Sequence, residues 1–387
     1  MAMSTRIAVG VSPEDAGVDS FAEAASRAAL ALGGRACDLA LVFASPENME
    51  HAEAGLEAAR ERLRPAAITG CAAQGVVGDG REIESGGVTV WAASLPEAEI
   101  EPFHIEASLA GEAVALSGVP EFAGADAAVM LVDPYTFPVE PLLSELARRS
   151  PGVPVVGGIS SGGPGPGSLL RNDGPVPGGA VGAVLRGTRV SACVSQGARP
   201  VGPEMVITAA EGNVVHELAS RPALERLREA IGELDAAEQA LAARGLLLGI
   251  VIDPNQPEYG RGDFLVRGLT GVDEESGSVT VGARVRVGQT VRMQVRDAES
   301  AHEDLLHALA NQRAALSAPP AGALLFTCNG RGSHMFGTPG HDAVAVAKAL
   351  DGAPTGGFFC AGEIGPVGEE SFVHGFTATL AVFPSDG

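Results

Sequence analysis

The chain has 387 residues, long enough for two or three domains with a substantial core, and its composition of 45% hydrophobic and 19% charged residues is that of a folded soluble protein. A formal charge of −22 argues against nucleic acid or an anionic membrane surface as the main partner. The five cysteines (Cys37, Cys71, Cys193, Cys328, Cys360) are odd in number, widely spaced and without a CxxC pair, which points to reduced thiols, no disulfide framework and no metal. The amino terminus lacks a long apolar run and no later segment reaches membrane length, so the expected location is cytoplasmic.

In chain order, Arg6 to Ser12 reads as a strand and Asp19 to Leu32 as a helix stopped by Gly33-Gly34. Asp38 to Ala44 (DLALVFA) reads as a buried strand, Met49 to Leu63 as a helix, and Ala66 to Gly70 as a strand entering the loop Cys71-Ala72-Ala73-Gln74-Gly75. Val88 to Ser94 and Ile100 to Ala107 follow as strands. The same order returns with Ala128 to Val132, a helix over Pro138 to Arg149, Val153 to Gly157, the loop Gly158 to Gly162, and strands near Gly179 to Arg186 and Arg189 to Ser195.

Between Asn213 and Ala243 the chain reads as helix-rich, with Pro222 at a first helical position and Leu224, Leu227 and Ile231 on one face. Strands resume at Leu246 to Ile252, Asp263 to Arg267, Ser278 to Val281 and Thr290 to Arg296, and Asp297 to Leu316 is a helix. Ala323 to Phe383 then makes a third pass of the unit, ending in a strand from Gly375. The expected architecture is α/β, with repeated strand-helix-strand-strand units forming mixed sheets covered by helices. The domain boundary is expected near Ser220, giving 1–219 and 220–387.

Two local patterns imitate functional motifs. Gly162-Gly163-Pro164-Gly165-Pro166-Gly167 lacks the GK[ST] of a phosphate loop, and its prolines remove donors, so it reads as a surface loop. His302 and His307 are five apart, roughly 140° around a helix, and cannot share a zinc. No cofactor motif is present.

Chemistry-bearing residues are densest in the third copy. Two apolar runs, Ala323 to Phe326 and Gly356 to Phe359, each deliver a cysteine and a glycine-rich turn, and loops leaving the carboxyl ends of neighbouring parallel strands share one sheet edge. One loop offers Cys328, Asn329, Gly330, Arg331, Gly332 and His334; the other offers Cys360, Glu363 and a turn at Gly365-Pro366. Gly330 and Gly332 free the backbone around Arg331 to form an anion-binding concavity, with the guanidinium as a carboxylate or phosphate clamp. The alternative is a tight turn whose arginine pairs with Glu363. Cys328 with His334 or His341 also permits a thiol nucleophile and base, against the reading of a small buried side chain.

The carboxyl half carries Gly262-Asp263-Phe264-Leu265-Val266-Arg267, Gly271-Val272-Asp273, Val287-Gly288-Gln289, Val295-Arg296-Asp297, Cys328-Asn329-Gly330-Arg331-Gly332, Gly357-Phe358-Phe359-Cys360-Ala361-Gly362-Glu363-Ile364-Gly365-Pro366 and His374-Gly375-Phe376-Thr377. In this order they resemble the FIST family, a module of two halves, FIST N and FIST C; Leu39 to Ala44 and Ile68 to Cys71 resemble its amino half. The resemblance implies a cytoplasmic sensory domain that binds small ligands such as amino acids. It adds Arg267, Arg296 and Asp297 as residues that line or brace the ligand cleft. The chain has no room for a kinase, cyclase or F-box, so the expected signalling partner is a separate protein. The expected function is binding of an amino acid or other carboxylate metabolite; a Cys328-dependent enzyme and a protein-interaction scaffold are the alternatives.

Overall fold

The computed structural model describes residues 4–13, 17–110, 113–163, 167–172 and 174–385; the glycine-proline loop of the second copy lies partly outside them, at 164–166. Two compact units emerge, Met1–Val194 with Leu306–Gly387, and Ser195–Leu305.

The first unit holds the three repeats. The first runs β1 (Arg6–Ser12), α1 (Val18–Leu32), β2 (Leu39–Ala44), α2 (Pro46–Met49), α3 (Ala52–Leu63), β3 (Ala67–Ala72), a hairpin of β4 (Val76–Gly78) and β5 (Arg81–Ile83), and β6 (Val88–Ser94). The second runs β7 (Glu99–Ala110), β8 (Ala113–Ser117), β9 (Ala127–Val132), α4 (Val139–Arg149), β10 (Val155–Ile159), the hairpin β11 (Leu169–Arg171) and β12 (Gly174–Val176), β13 (Ala180–Arg186) and β14 (Ser191–Ser195).

The second unit contains β15 (Arg199–Glu211), β16 (Val214–Leu218), β17 (Arg221–Pro222), α5 (Ala223–Gly232), α6 (Ala236–Gly245), β18 (Leu247–Val251), β19 (Phe264–Asp273), β20 (Ser278–Val281) and β21 (Thr290–Val295). The division between units falls within α7 (Ala298–Ala315). The third repeat follows as β22 (Pro320–Cys328), α8 (Ser333–Phe336), α9 (His341–Ala349), β23 (Thr355–Cys360), the hairpin β24 (Gly362–Val367) and β25 (Glu370–His374), and β26 (Ala378–Pro384).

In every repeat two strands run parallel, β2 with β3, β9 with β10 and β22 with β23, and a later strand returns antiparallel beside the first. The hairpin that follows the second parallel strand leaves its own sheet. Hairpin β4–β5 of the first repeat adds to β23 of the third, β11–β12 of the second adds to β3 of the first, and β24–β25 of the third adds to β10 of the second. The exchange is cyclic and closes after three steps, giving sheets ordered β1-β6-β2-β3-β11-β12, β25-β24-β10-β9-β13-β7-β8 and β14-β26-β22-β23-β4-β5.

One core joins the three sheets. Leu39, Leu41 and Phe43 meet Val129, Leu131 and Val156 of the second repeat and Phe326, Phe358 and Cys360 of the third. The Phe43 ring stacks on Phe358 at 4.9 Å, and Trp91 donates its indole N–H to the Ala323 carbonyl at 3.0 Å. The alternate residues Ala40, Val42 and Ala44 face α1 and α3, which is why β2 is apolar at all six positions. Where the parallel strands end, Ser160 Oγ donates to the Ala72 carbonyl at 2.7 Å, Ser161 Oγ donates to the Phe359 carbonyl, and Ala361 N donates to Ile159 at 3.0 Å. Backbone groups that would be orphaned at three strand ends are thereby satisfied.

The second unit is antiparallel. Its sheet runs β15-β21-β18-β19-β20-β16-β17, and a further pairing of β15 with β16 closes the ring and removes its open edges. The thirteen-residue β15 was not expected; a register shift between Val201 and Glu204 takes Gly202 and Pro203 out of the ladder. Residues 214–222, within the stretch expected to be helix-rich, pair as β16 and β17, and Pro222, expected at a first helical position, directly precedes α5. The expected boundary after residue 219 therefore lies inside this hairpin. Among the described residues, no helix is long and apolar enough to cross a membrane.

A sheet junction this close tolerates no added volume. A Cβ at Gly158 would lie 2.4 Å from Cys360 Sγ and 3.1 Å from the Phe358 ring. Gly158→Ala is expected to destabilise the first unit by about 1–3 kcal/mol, read as a lower urea midpoint; an unchanged midpoint would show that the junction can relax.

Candidate functional site

The loop leaving β22 is a tight turn. Arg331 N donates to the Cys328 carbonyl at 2.8 Å, and Asn329 N donates to the Cys360 carbonyl at 2.9 Å, tying the two cysteine-bearing strand ends together. A Cβ on Gly330 would come within 2.8 Å of the Phe376 ring, and one on Gly332 within 3.1 Å of the Glu84 carboxyl. Both glycines therefore make room for neighbours rather than for a left-handed turn.

Arg331 turns inward and is 1% exposed. Its Nε and Nη2 donate to Asp342 Oδ2 and Oδ1 at 2.6 and 2.9 Å, a two-point pair. Asp342 also accepts from Thr327 Oγ1 at 2.7 Å and bonds His341 Nδ1 at 2.8 Å. The guanidinium lies 5.2 Å from the Phe336 ring centre, and Phe336 stacks on His341 at 3.5 Å. Burial alone would raise the Asp342 pKa, but the Arg331 charge and the bonds from His341, Arg331 and Thr327 outweigh it and hold the carboxyl well below its usual range.

Two acids of the exchanged first-repeat hairpin secure this loop. Glu84 accepts from Ser333 N at 2.7 Å and Ser333 Oγ at 2.8 Å at the start of α8, and Glu82 accepts from Ala343 N at 2.9 Å in the first turn of α9. Burial, and then the neighbouring Asp342 charge, push Glu82 up to about 7.

Glu363, on β24, has a different environment. Its side chain is fully buried; Oε2 accepts from Thr377 N at 3.0 Å and Thr377 Oγ1 at 2.7 Å, while Oε1 has no hydrogen-bond partner. Asn329 Oδ1 is likewise buried and unbonded. None of the ion pairs among the described residues includes Glu363, and burial pushes its carboxyl up to about 8. The residue before Thr377 is Phe376, whose N–H donates to Cys328 Sγ at 3.2 Å; Gly330 N donates to the same sulfur at 3.4 Å. Phe376 has φ 67°, a conformation costly for a bulky side chain, and is 37% exposed.

Cys328, Asn329, Gly330, Arg331, Gly332 and Glu363 are thus gathered at one strand-end cluster, joined through the Phe376–Thr377 turn. The arginine pairs with Asp342, not with Glu363 as the tight-turn reading had it. Gly365-Pro366 lies within β24 rather than in a turn. His334 is exposed on α8, and His341 is held by Asp342. Arg267, Arg296 and Asp297 belong to the second unit: Arg267 donates to the Val266 carbonyl at 3.1 Å, Arg296 is half-buried after β21, and Asp297 accepts from Ser300 N at 2.6 Å as the cap of α7.

Reading the sequence missed Asp342, Glu82, Glu84, Phe376 and Thr377 as members of the cluster. Asp342 carried a signal, an acid in the first turn of an apolar helix; the two glutamates carried none, because they arrive through hairpin exchange. Clefts of the first unit lie away from this cluster: one of about 300 Å³ beside Asp126 and Arg189, and one of about 370 Å³ between Phe122 and α4. Among the described residues, no group of three or more His, Cys, Asp or Glu side chains is arranged to hold a metal ion.

Comparison with known proteins gives two family matches, the FIST N domain over residues 38–221 and the FIST C domain over residues 223–366. An uncharacterized protein of Mycobacterium tuberculosis is 43% identical over 382 residues, spanning 98% of this chain and 99% of the relative. An uncharacterized protein of Mycobacterium bovis is 41% identical over 385 residues, again spanning 98% and 99%.

Opposite outcomes are expected for the two buried acids. Arg331→Met strands the Asp342 charge and should cost about 3–5 kcal/mol in chemical denaturation, most of it recovered by adding Asp342→Leu. For Glu363 the folded pKa, about 8, lies above the ordinary value of 4.5, so the stability it contributes is complete below 4.5 and lost as pH rises through 8. Glu363→Gln should therefore gain on the wild type between those limits; parallel stability curves from pH 4 to 9 would contradict this.

Proposed function

The chain belongs to the FIST family, with FIST N and FIST C both present, and since FIST domains are sensory-type domains we propose that this protein is a cytoplasmic small-ligand sensor that binds an amino acid or related carboxylate metabolite and signals through a separate partner. The observation that carries the reading is the pair of buried, unbonded acceptors, Glu363 Oε1 and Asn329 Oδ1, beside loops from neighbouring parallel strands. A buried polar atom without a partner costs roughly 1–3 kcal/mol, and a ligand offering N–H donors removes that cost on binding. Amino acids supply such donors. Glu363 itself has no exposed surface, so the ligand reaches it when the Phe376 turn moves off Gly330.

A second reading, a Cys328-dependent enzyme, has one observation in its favour: the two backbone N–H groups on Cys328 Sγ, an arrangement that favours thiolate. As bases for that reading, His334 is exposed and His341 is engaged by Asp342. Iodoacetamide labelling of the native protein separates the two readings: the enzyme requires Cys328 to react well ahead of Cys193, the sensor does not.

The sensor reading is tested by thermal shift and calorimetry against the twenty amino acids and common organic acids. A ligand at a hundred times its Kd should add about 2.7 kcal/mol of stability, and Asn329→Ala should weaken binding about tenfold, or 1.4 kcal/mol. If no compound in the panel raises the melting temperature, the sensor reading fails.

A further inference from the structure

Among the described residues of the first unit, three acids are deeply buried: Asp133, whose two oxygens accept from Tyr135, Thr136 and Ser168, and Asp342 and Glu363, which have opposite charge balance. Asp342 is neutralised: Arg331 meets it at two points, with Thr327 and His341 adding further bonds. Glu363 is not. It lies in no ion pair, one of its oxygens is unbonded, and its side chain has no contact with water. A buried carboxyl in that position is stable only with a proton on it or a cation beside it.

Among the described residues, none of the groups facing it from neighbouring elements forms an ion pair with it. From the loop after β22 comes Arg331, whose charge partly offsets the effect of burial on Glu363 but whose ion pair is with Asp342; β22 and β23 contribute the thiols of Cys328 and Cys360. The registered partner on β10 is Gly158, which carries no charge, and the partner on β25 is His374, whose Nε2 lies 3.0 Å from the Gly365 carbonyl. Beyond β25, Thr377 donates two bonds to Oε2 and leaves Oε1 open.

We propose that Glu363 is the seat of a primary ammonium group, so that this protein recognises protonated amines and not simple organic acids, and that the arriving cation displaces the carboxyl proton to solvent. The inference rests on the sensory reading above and narrows its ligand class. The exchange balances: the ammonium keeps its three protons, Glu363 loses one, and the buried site goes from a neutral acid to a neutral ion pair. Asn329 Oδ1 offers a second acceptor on the same strand-end cluster. With Glu363 at about 8 the carboxyl is mostly protonated at pH 7, so binding should tighten as pH rises towards 8. The gain should end when the ligand loses its own proton, at about 10 for an alkylammonium.

The test is calorimetry of the full chain with L-alanine, methylamine and n-butylamine against propionate and butyrate, run at pH 7 in two buffers of different ionisation heat. The proposal expects an amine to bind with release of close to one proton, propionate and butyrate not to bind, and Glu363→Gln to lower amine affinity at least tenfold while abolishing the release. The wild-type proton count needs no variant, so it stands even if the substitution impairs folding. Propionate or butyrate binding as tightly as the amines, or amine binding without proton release, overturns the amine assignment and leaves small-ligand sensing intact. If the amino-acid and organic-acid panel yields no binder, the sensory reading falls and this inference falls with it.

Discussion

The cyclic exchange of hairpins among three sheets is the constraint on which the first unit depends. Each repeat builds two parallel strands and then gives the next segment away, so no repeat completes its own sheet. Edge strands that would otherwise stand open are covered by a hairpin distant in sequence, up to about the full span between β4 and β23. Because three exchanges close a ring, the core of Phe43, Phe326 and Phe358 is shared rather than divided among domains.

The same exchange builds the candidate site. Glu82 and Glu84 come from the first repeat, yet their carboxyls hold the starts of the two helices that follow Arg331. With the loop pinned from outside and Arg331 paired with Asp342, Glu363 is left as a buried acid in no ion pair, next to a strained aromatic turn. Strain and unsatisfied polarity persist where surrounding structure over-determines them, and both commonly mark sites that bind something.

The family halves and the compact units divide the chain differently. FIST C begins at residue 223, just after the β16–β17 hairpin, whereas the second compact unit runs from Ser195 to Leu305 and the third repeat returns to the first unit. Sequence likeness follows contiguous segments; packing follows strand pairing, and β22 and β23 pair within the sheet that contains β4, β5 and β14.

By itself the sequence determined the repeating strands and helices, because apolar runs such as Leu39–Ala44 and amphipathic helices such as Val139–Arg149 are local periodicities. It also determined the family, through ordered motifs, and the meeting of the Cys328 and Cys360 loops, since in-register parallel strands end at one edge. Only the tertiary structure decided which acid Arg331 meets, that Gly330 and Gly332 serve Phe376 and Glu84, and that Glu363 is left unpaired. The physical reason is separation along the chain: Glu84 and Ser333 are 249 positions apart, and no local pattern encodes which hairpin crosses to which sheet.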